Sequence, residues 1–340
     1  MNVLRPMIVP RAWLKTVLLM AGLSVIGCLP VSADVQISQL ADRLRVEINS
    51  KLFTEYYFKD VPRPFCYPIT GPDGLMMTRN WPLTNAPGEE HDHPHHRSLW
   101  FAHGDVNGQD FWTETPGAGK ILHAGFDEIK SGPDFGLIKA RNNWVAADGR
   151  VICTDEQTLR IYSRPNRERL FDFEATLHAS RGELTFGDTK EGTMAIRLAE
   201  TMRLMKPAPN KSEPPRLGDG RAANSEGVLG VAAWGKRAAW VDYSGPVAGK
   251  IVGVAIFDCP QNPHHPAWWH VRDYGLFAAN PFGQHDFESF KQNKTAGNLV
   301  VPAGKSVTFR YRFYLHEGNE QQAGVAEHFA EYIREGFPAK

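Results

Sequence analysis

Residues 90–112 concentrate the groups most able to do chemistry: five of the chain's 13 histidines, three aspartates, one arginine and two tryptophans. Imidazoles titrate near neutral pH, and carboxylates can orient or activate them, so His96 or His103 is read as a general acid/base with Asp105 as its partner. Pro94 removes a backbone donor and biases His93 away from helix. From Arg97 onward Leu99, Phe101 and His103 alternate with Ser98, Trp100 and Ala102, the two-residue period of a strand. Asn107-Gly108 tolerates positive φ in a tight turn, and Asp110-Phe111-Trp112 is expected to start the return strand. The reading is a polar loop feeding a β-hairpin that carries a site.

A second stretch repeats the recipe. In residues 262–275, His264 and His265 stand against prolines and are followed by Trp268, Trp269, His270, Arg272, Asp273 and Tyr274. His270 and Asp273 are candidate catalytic groups facing those of the first stretch. Asn107, Asp110, Lys190, Glu191 and Tyr274 are candidate substrate contacts. Arg97 and Arg272 suit hydroxyls or a uronate carboxylate, while Trp100, Trp112, Trp268 and Trp269 suit stacking against sugar rings. Trp234 and Trp240, each close to charged residues, are core residues first and ring platforms second. His93-Pro94-His95 is an H-x-H and His103-Gly104-Asp105 an H-x-D, so His93, His95 and His103 are also candidate ligands for a divalent metal. The glutamate that a cupin would place soon after its H-x-H is missing, with Leu99-Trp100 there instead.

The elements positioning these residues read as strands. Across 340 residues, Lys+Arg and Asp+Glu both total 38, so no basic field suggests nucleic acid and no charge block suggests a disordered tail. Leu44, Val46 and Ile48 alternate with polar neighbours, as do Phe171, Phe173, Ala175 and Leu177, and Val307, Phe309, Tyr311, Phe313 and Leu315. Asp148-Gly149 marks a two-residue hairpin turn. The expected fold is all-β, a large antiparallel β-sandwich closed by a C-terminal amphipathic helix. In that helix Asn319 caps, Gln322 completes a capping box, Val325, Phe329, Tyr332 and Ile333 form the stripe, and Gly336 ends it. Cys66, Cys153 and Cys259 read as buried thiols.

At the N-terminus, basic residues precede an apolar run too short to span a bilayer, as in an export signal. Two processing readings stay open: cleavage after Ala33, giving a signal peptide of 1–33, or a lipobox that leaves a lipid on Cys28. The second would be the protein's one membrane attachment, and either places it outside the cytoplasm. Residues 34–340 are read as a single domain with a long polar loop at 206–227, the alternative for that loop being an interdomain linker.

The strings HDHPHHRSLWFAHGDVNGQDFW, DTKEGTMAIR, WGKRAAWVDY and HHPAWWHVRDYGLFAANPFG resemble the PmoA-like family of secreted bacterial proteins, from about Val35 to the C-terminus. That resemblance implies a large β-sandwich of the galactose-mutarotase super-sandwich type. It also implies carbohydrate substrates, because family members are associated with sugar-processing oxidoreductases. The methane monooxygenase activity in the family's name is not carried over, since this chain has no membrane spans beyond the export segment. Three functions follow as expectations. The first is an exported carbohydrate-active enzyme: an epimerase, lyase or glycoside-type hydrolase. The second is a metal-dependent enzyme such as an oxygenase. The third is a non-catalytic carbohydrate-binding surface protein.

Overall fold

The computed structural model describes residues 1, 34–208, 210, 212–288 and 292–337, so the expected export signal and Cys28 lie outside the described residues. Two eight-stranded antiparallel sheets make up the fold. The first runs in the order Val35–Gln39, Arg43–Ile48, Lys51–Tyr57, Phe65–Cys66, Leu99–His103, Gly192–Arg197, Leu276–Asn280, Trp268–Val271. The second runs Arg221–Asn224, Trp240–Val247, Lys250–Asp258, Ser306–Glu317, Glu168–His178, Val151–Tyr162, Phe135–Val145, Lys120–Lys130. The all-β antiparallel sandwich expected from alternation is the fold observed.

The core lies between the sheets. Phe101 of the first meets Phe173 and Phe309 of the second at ring-centroid distances of 5.8 and 6.1 Å, and Phe53 meets Phe171 at 5.7 Å. Val151–Tyr162 and Glu168–His178 of the second sheet alternate buried and half-buried residues over most of their length, since one face looks outward there. The last four strands of the first sheet do not alternate: Leu99–His103, Gly192–Arg197, Leu276–Asn280 and the edge strand Trp268–Val271 are buried throughout. Loops must therefore cover the outer face of that sheet, and these loops carry the polar clusters.

Several local expectations need correction. The Asn107-Gly108 turn forms, with φ of 52° and 77° and Val106 bridged to Gln109, but no return strand follows. Asp110 Oδ1 accepts from the backbone N–H of Trp112 at 2.6 Å and of Thr113 at 3.1 Å, which bends the chain out of extension. Gly192–Arg197 pairs with Leu99–His103 instead. At Asp148-Gly149 the connection is wider than two residues, with Ala146 N–H donating to Arg150 O. Residues 206–227 hold the short pair Met205–Lys206 with Arg216–Leu217 and the edge strand Arg221–Asn224.

The C-terminal helix is Val325–Glu335, ended at Gly336. The Asn319–Gln322 capping box forms one turn ahead of it: Asn319 Oδ1 accepts from Gln322 N–H and Gln322 Oε1 accepts from Asn319 N–H, both at 3.0 Å. Cys66, Cys153 and Cys259 are buried free thiols. Among the described residues no helix is long and apolar enough to cross a membrane.

Candidate active site on the outer face of the first sheet

Register builds the floor. Trp100, Ala195, Ala278 and His270 are direct partners across four adjacent strands, so all four side chains stand on the same face. With strands about 4.8 Å apart, Trp100 and His270 are ~14 Å apart, with two alanines between them. One step along, Arg197 pairs with Leu276 on the same face.

Three loops close over this floor. Loop 90–97 is pinned by two buried arginines. Arg79 donates to the carboxylate of Asp92 and to the carbonyls of Asp92 and His93, at 3.0 and 3.1 Å for the last two. Arg63 donates to the carbonyls of His95 and Trp112. The turn 188–191 is held by Asp188, whose carboxylate accepts from the backbone N–H of Gly297 and His285. The turn's carbonyls reach the floor: Thr189 O accepts from Asn280 Nδ2 at 3.0 Å, and Lys190 O from His270 Nδ1 at 2.9 Å. Gly104 lets this turn approach, since a Cβ there would lie 2.8 Å from Glu191 Cβ. Turn 272–275 brings Tyr274 against His93, rings stacked at 4.9 Å. The two histidine-rich stretches, distant in sequence, thus meet in one place.

Charge is unevenly distributed here. Arg79 and Arg197 are fully buried and share one carboxylate, Asp92, with Arg197 Nη2 donating to Asp92 Oδ1 at 3.0 Å. The other terminal nitrogen of Arg197 faces a neutral acceptor, His96 Nδ1, at 3.2 Å, and its guanidinium stacks on Tyr274 at 4.5 Å. Burial, with Arg79 adding and Asp92 opposing, pulls Arg197 down to about 10. Burial alone would raise the Asp92 carboxyl, but His93, Arg197 and Arg79 outweigh it and hold it below the ordinary range.

The histidines respond in kind. Burial, then Arg272, pulls His270 down to about 3. Burial, then Arg63 and His93, pulls His95 to about 4. Burial, then His95 and Arg197, puts His96 well below its usual value. Neutral His270 spends its Nδ1–H on Lys190 O, which leaves Nε2 as a bare acceptor. Burial pushes the Tyr274 hydroxyl up against the pull of Arg272 and Arg197, so it keeps its proton. The half-buried rim consists of His93, His95, Lys190, Glu191, Arg272, Asp273 and Tyr274.

Other expected site residues serve the fold. His103 is wholly buried on the core side between Phe186 and Phe282, its Nε2 bonded to Gly187 O at 2.8 Å, so it forms no dyad with Asp105. Asp105 Oδ1 accepts from Gly108 N–H, a turn bond. Asn107 bonds Glu183 O and Thr185 N–H, and Asp110 holds its own turn. Trp100, Trp112, Trp268 and Trp269 are buried, so none offers an open ring face. Arg97 is committed to Glu114 through Nε and Nη2, at 2.8 and 2.7 Å. His264 and His265 tie their loop to Pro281 O and Asp258, both at 2.7 Å.

The expected ligand set His93, His95 and His103 does not converge, because His103 faces the core. Among the described residues no group of three or more His, Cys, Asp or Glu is placed to hold a metal ion. Arg79, Arg197 and Asp92 went unrecognised in the sequence, since an arginine ending a buried strand and one before a polar loop carry no motif.

The fold and site define a class: an antiparallel β-sandwich with a histidine- and arginine-lined site under the loops of one sheet. The family model that matches, over residues 43–330, is the Family of unknown function (DUF6807), and the chain belongs to it. That match replaces the PmoA-like resemblance, for which no family match is found. No curated protein matches the chain.

Proposed function

We propose that the protein is an exported carbohydrate-active enzyme that moves a proton on the carbon beside the carboxylate of a sugar acid, a lyase or an epimerase. The observation that carries this reading is that two buried guanidiniums, Arg79 and Arg197, share Asp92 as their direct carboxylate partner, behind a rim that presents Arg272, Tyr274 and the bare Nε2 of His270. An anionic group of the ligand supplies the missing charge. A sugar carboxylate held at Arg272, in the field of Arg197, acidifies the adjacent C–H by stabilising the enolate-like charge that forms on proton loss.

His270 Nε2 takes that proton. In elimination the released electron pair forms a C=C bond, the bond to the neighbouring leaving oxygen breaks, and Tyr274 donates its proton to that oxygen. In epimerisation the Tyr274 proton returns to carbon from the other face. Each group then exchanges its proton with water. A glycoside hydrolase is less well supported, because it uses a pair of uncommitted carboxylates. Here Asp92 serves two arginines and Glu191 lies 3.0 Å from Lys190 Nζ.

The test is incubation with galacturonate and digalacturonate in deuterated water, following deuterium entry by NMR and unsaturated uronate by ultraviolet absorbance. The reading expects one of these signals, reduced by about 10²–10⁴-fold in His270→Gln. Binding without either signal would leave a sugar-binding protein in place of an enzyme, and an unchanged rate in His270→Gln would remove the proposed base.

A further inference from the structure

Beside the rim lies a cavity of about 290 Å³ lined by Val231, Trp234, Val271, Arg272 and Asp273. We propose that this cavity is a second sugar subsite, with Trp234 as its platform, and that the ligand is therefore at least a disaccharide. The inference rests on the sugar-acid reading and specifies the length of the ligand.

Continuity is the first argument. Arg272 belongs to both the rim and the cavity, and the Trp234 ring lies 6.3 Å from that of His270. A ligand whose carboxylate meets Arg272 would have its next unit over Trp234. Size is the second. Small-molecule sites span roughly 300–1,000 Å³, and this cavity sits at the lower edge, suiting one added ring.

The third argument is chemical. Trp100, Trp112, Trp268 and Trp269 are buried, whereas Trp234 is half-buried and edged by Val231, which is 56% exposed. An indole face packs against the apolar C–H face of a pyranose, and Asp273 can accept from ring hydroxyls. Phe287 braces the ring edge-on at 5.1 Å, and the tight Gly235 (φ 68°) follows it.

The experiment is titration calorimetry of galacturonate and digalacturonate against wild type, Trp234→Ala and Trp234→Phe, with circular dichroism to show that each variant is folded. The expected result is a loss of tenfold or more for the disaccharide in Trp234→Ala, a change within twofold for the monosaccharide, and near-wild-type disaccharide binding in Trp234→Phe. Equal loss for both ligands, or no loss, overturns the subsite while leaving the sugar-acid reading intact. A wild type that binds neither overturns that reading and the subsite with it.

Discussion

Both sheets bury arginines near their outer faces, and they treat them in opposite ways. On the second sheet Arg310 Nε meets Glu174 at 2.5 Å, while Arg312 meets Asp172 at 2.6 and 2.9 Å and Glu335 of the C-terminal helix at 2.6 Å. Burial works against the charge of Arg312, but Asp172 and Glu335 outweigh it and hold its pKa above the ordinary value. On the first sheet Arg79 and Arg197 divide one carboxylate, and Arg197 falls to about 10. Matched charges staple a helix to a sheet. Two charges sharing one carboxylate leave the positive field on which the proposed function draws, at a cost in stability that the surrounding core must offset.

The sharpest break in this comparison is Asp92→Asn. It leaves two buried guanidiniums without a carboxylate and is expected to cost about 3–5 kcal/mol in denaturant unfolding. Arg197→Met should behave differently, because Asp92 keeps Arg79. The expected outcome is modest destabilisation with about 100-fold weaker binding of an acidic ligand, the loss of a through-space attraction of ~2–3 kcal/mol from a buried charge. Arg312→Met should show the reverse, a loss of about 1–2 kcal/mol of stability with ligand affinity unchanged. If Arg312→Met weakened the ligand as much as Arg197→Met, the distinction between the sheets would fail.

A pH series sharpens the contrast further. His270 and His103 have folded pKa values of about 3 and 4, and His96 lies well below its usual value, all under the unfolded value near 6.5. Between those limits the unfolded chain binds protons that the folded chain refuses, so stability rises with pH and falls on acidification. Each such histidine contributes up to ~1.4 kcal/mol per pH unit in that window. Thermal unfolding should therefore drop steeply from about pH 6.5 to pH 4.5, and the drop should shrink in His96→Gln. With His270 as the proposed base, the rate profile should lack an acid limb near the ordinary histidine value, because His270 is already deprotonated there.

The fold was legible because strand alternation is local. Phe171, Phe173, Ala175 and Leu177 needed only their spacing to declare an inward face. The meeting of residues 90–97 with 270–274 was legible as a shared recipe, although only the Trp100–Ala195–Ala278–His270 register brings them to one face. What could not be read is the side a residue takes in a strand buried on both faces. His103 and Trp100 are three apart on such a strand, and one turns to the core while the other supports the site. Equally hidden was the use of Asp105, Asn107 and Asp110 by the backbone, since a turn-capping carboxylate and a catalytic one look alike in sequence. The buried arginines gave no signal, because their role depends on how many carboxylates the fold brings to them.

The most direct test of the central claim is titration of galacturonate and galactose, the same ring with and without the carboxylate, against wild type and Arg197→Met. The two guanidiniums that share Asp92 predict that wild type prefers the acid by at least tenfold and that Arg197→Met, which keeps Arg272, cuts that preference by about tenfold or more. Equal affinity for the two sugars, or a preference unchanged in Arg197→Met, would contradict it.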